Sequence, residues 1–237
     1  MSAQKINKIN SLLINHFGIP ERNKKLPDPV DMLIATILSQ NTNDKNSYRA
    51  YKNLKKEYPD WEMILEANRE DIEDVIKVAG LGKQKSAAIK NFLDDLHSKR
   101  NKISLDDIVQ KKEPEILAEL TEYKGIGIKT ASCVLLFALD KNVCPVDTHV
   151  HRTLNRIGIV KENSPEKTFW RINKKLPEGL AHQFHTNLIR LGRDICKPKK
   201  PNCSACPLLK ICDYPDKDLS IQNETKENKF MLLDNVE

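Results

Sequence analysis

Four cysteines near the C-terminal end of the chain, Cys196, Cys203, Cys206 and Cys212, fall as C-x6-C-x2-C-x5-C. Four thiolates in one short loop can wrap a compact iron-sulfur cluster, because cubane clusters are held by four cysteine sulfurs. The C-x2-C step is also zinc-like, so the four cysteines by themselves leave a tetrahedral zinc site open. Upstream, two glycines bracket one aliphatic residue in Glu122-Tyr123-Lys124-Gly125-Ile126-Gly127-Ile128-Lys129-Thr130-Ala131. Glycine permits the positive φ and close approach that a tight turn between helices needs, and Ile126 can anchor that turn to the core. Backbone N–H groups at the start of the next helix would then point outward and suit a phosphate, a sequence-independent anchor for DNA. Gly125-Ile126-Gly127 alone also fits an ordinary pair of antiparallel helices.

Lys129 changes that weighing. It falls in the first turn of the following helix, where an ammonium meets the positive end of the helix dipole and cations are usually avoided. A lysine kept at such a place is a candidate Schiff-base nucleophile; Lys124, just before the turn, is a candidate phosphate contact. The third group is Asp147 in Pro145-Val146-Asp147-Thr148-His149-Val150-His151-Arg152, at the head of a helix whose apolar face continues through Val150, Leu154 and Ile157. An aspartate there is an N-cap. A carboxylate near a DNA sugar could also stabilise positive charge developing at C1′ as a base departs, much as carboxylates serve glycosidases. His149, His151 and Arg152 read as packing, surface or phosphate-contacting residues rather than metal ligands.

The elements that must position these groups are helical. Apolar residues recur at helical intervals, as in Ile6, Ile9, Leu12, Leu13 and Phe17, in Leu33, Ile34, Ile37 and Leu38, and in Ile72, Val75, Ile76 and Ala79. Asp28-Pro29, Asp60, Asn68 and Ser164-Pro165 read as helix openings, and Gly18 and Gly80 as C-terminal stops. The expectation is an all-α protein of roughly ten short helices. Gly80-Leu81-Gly82 looks like a second turn of the Gly125-Ile126-Gly127 kind.

A net charge of +6 over 237 residues makes a polyanionic partner plausible without deciding it. The polar, lysine-rich start and the shortness of the longest apolar run, Ala131 to Leu139, predict no membrane span and an intracellular protein. In that reducing setting clustered cysteines are metal ligands rather than disulfides. Cys133 and Cys144 stand apart from the cluster spacing and read as core residues.

Together these features resemble the endonuclease III branch of the helix-hairpin-helix DNA glycosylases, from about Leu26 to Tyr214. G-I-G-I-K-T-A, V-D-T-H-V-H-R, L-G-R-D-I-C and the cysteine loop occur in the family's order and spacing. The resemblance implies a six-helix barrel lobe with the helix-hairpin-helix over 27–140. It implies a second helical lobe, from 1–26 and 141–214, carrying a 4Fe-4S cluster on the four cysteines. Residues 215–237 are expected to form a disordered polar tail. Lys129 matches the family's Schiff-base lysine and Asp147 its catalytic aspartate. Leu81 matches a wedge inserted where the damaged nucleotide leaves the stack, and Gln40 or Asn41 a residue that fills the gap. Lys197, Lys199, Lys200 and Lys210 fall on the cluster loop as phosphate contacts.

The implied activity is that of a bifunctional glycosylase and AP lyase of base excision repair, acting on oxidised pyrimidines in double-stranded DNA and on abasic sites. It would act as a monomer, cytoplasmic at the nucleoid of a prokaryote or nuclear or mitochondrial in a eukaryote. Alternatives are a thymine, uracil or modified-cytosine mismatch glycosylase, a MutY-like adenine glycosylase and, in another class, a non-catalytic iron-sulfur module that binds DNA. MutY-like members lack the hairpin lysine and carry a glutamate where this chain has Thr36. The Ser39-Gln40-Asn41-Thr42-Asn43-Asp44 stretch departs from the form of bacterial endonuclease III, which leaves the preferred base open.

Overall fold

The computed structural model describes residues 2–22, 25–220 and 230–236, and among these the chain is helical with no strand. It divides into two compact units, Met1–Arg22 with Lys141–Lys229, and Asn23–Asp140 with Phe230–Glu237. Helix α1 (Ala3–Phe17) opens the first unit. The second unit holds α2 (Pro29–Ser39), α3 (Asp44–Glu57), the single turn α4 (Met63–Glu66), α5 (Arg69–Ile76), α6 (Gly82–Arg100), α7 (Glu113–Thr121) and α8 (Ile128–Phe137). The first unit resumes with α9 (Thr148–Ile157), α10 (Pro165–Asn173) and α11 (Ala181–Arg190).

In the second unit α2 is the central element, because it is apolar on nearly every side and buried from Pro29 to Leu38. Its start is fixed by Asp28, whose carboxylate accepts from the N–H groups of Val30 at 2.8 Å and Asp31 at 3.3 Å, with Pro29 preset in helical geometry. Asp31 is buried and accepts from Trp61 Nε1 at 2.7 Å and Lys55 Nζ at 3.3 Å. Burial raises its carboxyl above the usual range, and Lys55 and Trp61 oppose that. Against α2 pack α3, α6 and α8. Leu33, Ile37, Ile89, Leu93 and Val134 are fully or almost fully buried, each contributing about 1.5–3 kcal/mol relative to exposure.

In the first unit α1 packs on α11. Gly18 stops α1 as expected, at φ +79 with its N–H on Ile14 O at 2.8 Å. Asn187 and Arg190 of α11 donate to Gly18 O at 3.0 Å and Phe17 O at 3.4 Å, so one helix caps the other. Ser164 caps α10 through Lys167 N–H, as its Ser-Pro signature predicts.

Asn68 opens α5 as expected, although its side chain bonds Asp71 and caps no backbone N–H. One expected helix start differs. Asp60 opens a turn, and α4 begins only at Met63. The expected disordered tail also needs correction at its end. Residues 221–229 lie outside the described residues, but Leu232–Asn235 form a 3-10 turn packed on α2 and α3. Met231, Leu232 and Val236 are buried there, and the Phe230 ring meets Tyr48 edge-on at 5.4 Å. These apolar residues follow a long charged stretch whose composition hides them, and a groove between two helices suffices to order them. No helix of the described residues is long and apolar enough to cross a membrane.

Candidate active-site residues and cysteine loop

After α7 the chain turns through Tyr123, which is buried and accepts at its carbonyl from Ile126 N–H at 3.0 Å. The Tyr123 ring is fixed edge-on to Phe92 at 5.3 Å. Gly125 takes φ +89, a conformation that a Cβ would strain, and Ile126 is buried beneath the turn. Gly127 then occupies the N-cap of α8, and the first intrahelical bond runs from Ala131 N–H to Gly127 O at 3.0 Å. The N–H groups of Ile128, Lys129 and Thr130 therefore stand ahead of the helix with no intrahelical acceptor. Lys124 is exposed beside them. Lys129 is half-buried, and among the described residues its ammonium has neither a carboxylate nor a carbonyl partner. Hairpin, free N–H groups and unpaired amine thus occupy one helix start.

Gly80-Leu81-Gly82 proves a related turn with an opposite outcome. Gly80 has φ +68 and α6 begins beyond it, as α8 begins beyond Gly125. Whereas Ile126 is buried, Leu81 is 45% exposed and itself sits in the left-handed region at φ 51 and ψ 36. A leucine held there costs about 1–3 kcal/mol and persists only where the surroundings enforce it. Gln40 and Asn41 follow the end of α2 and are both exposed, with Asn41 also left-handed at φ 51.

In the first unit Asp147 caps α9, its Oδ1 accepting from Val150 N–H at 2.8 Å. The cap occupies one carboxylate oxygen, and among the described residues the other has no hydrogen-bond partner. His151 bonds Thr168 Oγ1 at 2.8 Å, a packing role in keeping with its sequence context. Arg152 is bonded within the first unit. Its guanidinium grips the approach to the cysteine loop, Nε on Cys196 O at 3.0 Å and Nη2 on Gly192 O at 2.7 Å.

Arg156, one turn on, carries a role that sequence reasoning missed. It donates to Lys197 O at 2.7 Å, Pro198 O at 3.0 Å and Cys196 Sγ at 3.5 Å, and stacks on Tyr214 at 4.3 Å. The signal was an i, i+4 arginine pair on the side of α9 away from Val150, Leu154 and Ile157.

The loop itself leaves α11 through a π-helical turn, Leu191–Ile195, closed by Cys196 N–H on Leu191 O at 2.7 Å. Gly192 is required there, since a Cβ would fall 2.8 Å from His149 Cβ. Beyond it the loop has only two 3-10 turns, Cys203–Ala205 and Leu209–Ile211. The four thiols share one neighbourhood. Burial pushes the Cys206 thiol up to about 12, opposed by a backbone hydrogen bond and reinforced by Cys196, Cys212 and Cys203 nearby. Such a set can hold four negative charges only when a strongly cationic centre compensates them, which is the chemistry of a metal-ligand set. Among the described residues, no three His, Cys, Asp or Glu side chains are grouped closely enough to hold a single ion. Lys197, Lys199, Lys200 and Lys210 are all exposed.

The profile of the HhH-GPD superfamily of base excision DNA repair proteins matches residues 34–178. The chain belongs to this superfamily. Endonuclease III of Thermotoga maritima is 38% identical over 193 residues, covering 81% of this chain and 86% of its own. Endonuclease III of Rickettsia felis is 32% identical over 218 residues, 90% of this chain and 96% of its own. A solved trapped covalent intermediate of endonuclease III with DNA superposes with a TM-score of 0.74 at 26% identity, over 90% of this chain and 96% of that one. This HhH-GPD protein is accordingly a base excision repair glycosylase with AP-lyase activity, and its all-helical fold is that of endonuclease III. At the position where MutY-like members place a glutamate, it has Thr36, fully buried with its hydroxyl on Met32 O at 2.8 Å.

Proposed function

We propose that the chain excises oxidised pyrimidines, thymine glycol being the representative lesion, from double-stranded DNA and nicks the strand at the resulting abasic site. The observation that carries this reading is Lys129, an amine without a partner among the described residues in the first turn of α8, directly behind a hairpin whose N–H groups suit a phosphate. The Lys129 Nζ lone pair attacks C1′, and the electron pair of the glycosidic bond leaves with the base, which takes up a proton. The amine gives up its protons as the sugar ring opens to an imine. Loss of a C2′ proton then expels the 3′ phosphate by β-elimination, and water hydrolyses the imine to release Lys129. Asp147, with one oxygen free of its cap, stabilises positive charge at the sugar as the base departs.

Cys196, Cys203, Cys206 and Cys212 would hold a 4Fe-4S cluster, whose chief contribution would be to hold the loop in place. The exposed lysines of that loop, Lys199 and Lys200 among them, together with Lys124, are assigned to phosphates. The test is a labelled duplex carrying one thymine glycol. A strand nicked 3′ to the lesion and ending in an unsaturated aldehyde supports the reading, and intact strand with base and backbone unchanged refutes it.

Two variants separate catalysis from folding. Asparagine caps a helix as well as aspartate does, so Asp147→Asn should leave the melting temperature unchanged while base release falls roughly 10²- to 10⁴-fold. Asp147→Ala should add a stability loss of about 1 kcal/mol. Full activity in the asparagine variant would leave Asp147 a cap alone. At Gly127 a Cβ would meet no protein atom within 4 Å. Gly127→Ala should therefore fold normally yet weaken duplex binding by roughly tenfold or more, because the added methyl crowds charge-assisted N–H contacts to phosphate. Equilibrium binding with unchanged circular dichroism checks this.

A further inference from the structure

Lys85, in the first turn of α6, is 2% exposed. Its ammonium donates to Leu38 O at 2.8 Å and Ala79 O at 2.8 Å, and its backbone N–H to Leu81 O at 3.0 Å. Among the described residues no carboxylate pairs with it. Both accepting carbonyls are at helix ends. Leu38 is the last residue but one of α2, and Ala79 closes the 3-10 turn Lys77–Ala79. Such carbonyls lack intrahelical donors and carry the negative end of the helix dipole, so one cation satisfies two helix ends.

Burying an ammonium without a counter-charge is costly, and burial pushes Lys85 down to about 8. An apolar side chain would fill the same volume at less cost, so it is the bonds that account for a lysine here. What they join are the two turns already singled out. Gln40 and Asn41 follow Leu38 after Ser39, and Leu81 follows Ala79 after Gly80. The lysine side chain thus fixes the chain two residues ahead of Leu81, through Ala79 O, while the Lys85 N–H on Leu81 O is the ordinary first intrahelical bond of α6.

We propose that Lys85 is the positioning residue for nucleotide extrusion, fixing the turn that bears Leu81 and the turn that bears Gln40 and Asn41 at one spacing so that their side chains enter the duplex together. The inference rests on the reading of Leu81 as the wedge and of Gln40 or Asn41 as the gap filler. Extrusion costs a few kcal/mol of stacking and pairing, which inserted side chains offset only if they are held at the right place.

The test uses the full chain as wild type, Leu81→Ala, Lys85→Met and the double variant. Single-turnover base release is followed from a duplex with 2-aminopurine beside the lesion, whose fluorescence reports unstacking. Cleavage of a single-stranded abasic oligonucleotide, which needs no extrusion, is measured in parallel. Lys85→Met should slow unstacking and base release from duplex roughly 10- to 100-fold, the loss expected from misplacement by about 1 Å. Cleavage of the single strand should stay within about twofold, and the double variant should be no slower than the slower single one.

If Leu81→Ala has no effect, the insertion reading itself fails. If Leu81→Ala is slow but Lys85→Met is not, if the two losses multiply, or if single-strand cleavage falls equally, the positioning role is overturned. Lys85→Leu and Lys85→Gln are run alongside, and failure of all three to fold would make Lys85 a folding residue and overturn the inference.

Discussion

Lys129→Gln is expected to abolish strand cleavage at abasic sites and to slow base release on the order of 10⁴-fold, while leaving the fold and duplex binding intact. Glutamine is close to lysine in reach but has no amine that can form an imine with C1′, so the β-elimination route closes entirely. The side chain is half-buried and has no partner among the described residues, so nothing in the packing depends on its charge. Removing a cation from the first turn of a helix even relieves an unfavourable dipole contact, about 0.3–1 kcal/mol at an exposed site. The melting temperature should hold or rise slightly. Single-turnover cleavage of abasic and thymine-glycol duplexes, with binding measured on the same samples, checks the prediction. Retained lyase activity would remove Lys129 from the chemistry.

The largest effect on stability is expected at Cys206. Between Cys196 and Cys212 regular structure is limited to two three-residue turns, and few side chains there are buried, Leu208 among them. Arg152 and Arg156 hold the entry to the loop, and Arg156 also meets its exit at Cys212 and Tyr214, but neither reaches the span between. Without a metal centre the loop has little apolar burial to offset its ordering, which costs about 1–2 kcal/mol per residue in backbone entropy. Cys206→Ala should therefore abolish the visible absorbance expected of the proposed cluster and lower stability by more than about 5 kcal/mol, as loss of a structural metal does.

The loss should be local at first. Amide exchange should rise across Cys196–Tyr214 and the end of α9 before it rises in α2, α6 and α8. Removing the metal from the wild type under acid should reproduce the variant. Elemental analysis decides the competing chemistry, because four irons with acid-labile sulfide fit the proposal and one zinc without iron refutes it.

The parts of the molecule legible in the sequence are those that neighbouring residues decide. Asp28-Pro29, Ser164 and Asp147 do cap helices, because a cap is a contact over two or three residues. Gly125-Ile126-Gly127 likewise forms its turn locally. What was hidden depends on distant elements. Lys85 lies in Lys83-Gln84-Lys85-Ser86, which reads as a solvated face, and only the convergence of two helix ends makes it a buried donor. Leu81 and Ile126 share the G-x-G pattern, yet one is exposed and the other buried, because the pattern sets the turn and not what covers it. The apolar cluster at Met231, Leu232 and Val236 needed α2 and α3 before it could order. Arg156 could have been suspected from its spacing to Arg152, but its acceptors on the cysteine loop are some forty residues away.

The most direct measurement is borohydride trapping of the wild-type enzyme on a thymine-glycol duplex, followed by digestion and mass mapping of the adduct. Reduction of an imine should leave one deoxyribose-linked peptide, with the modification on Lys129 Nζ. An adduct on the N-terminal amine or on another lysine, or cleavage of the duplex with no adduct at all, would contradict the assignment of Lys129 as nucleophile.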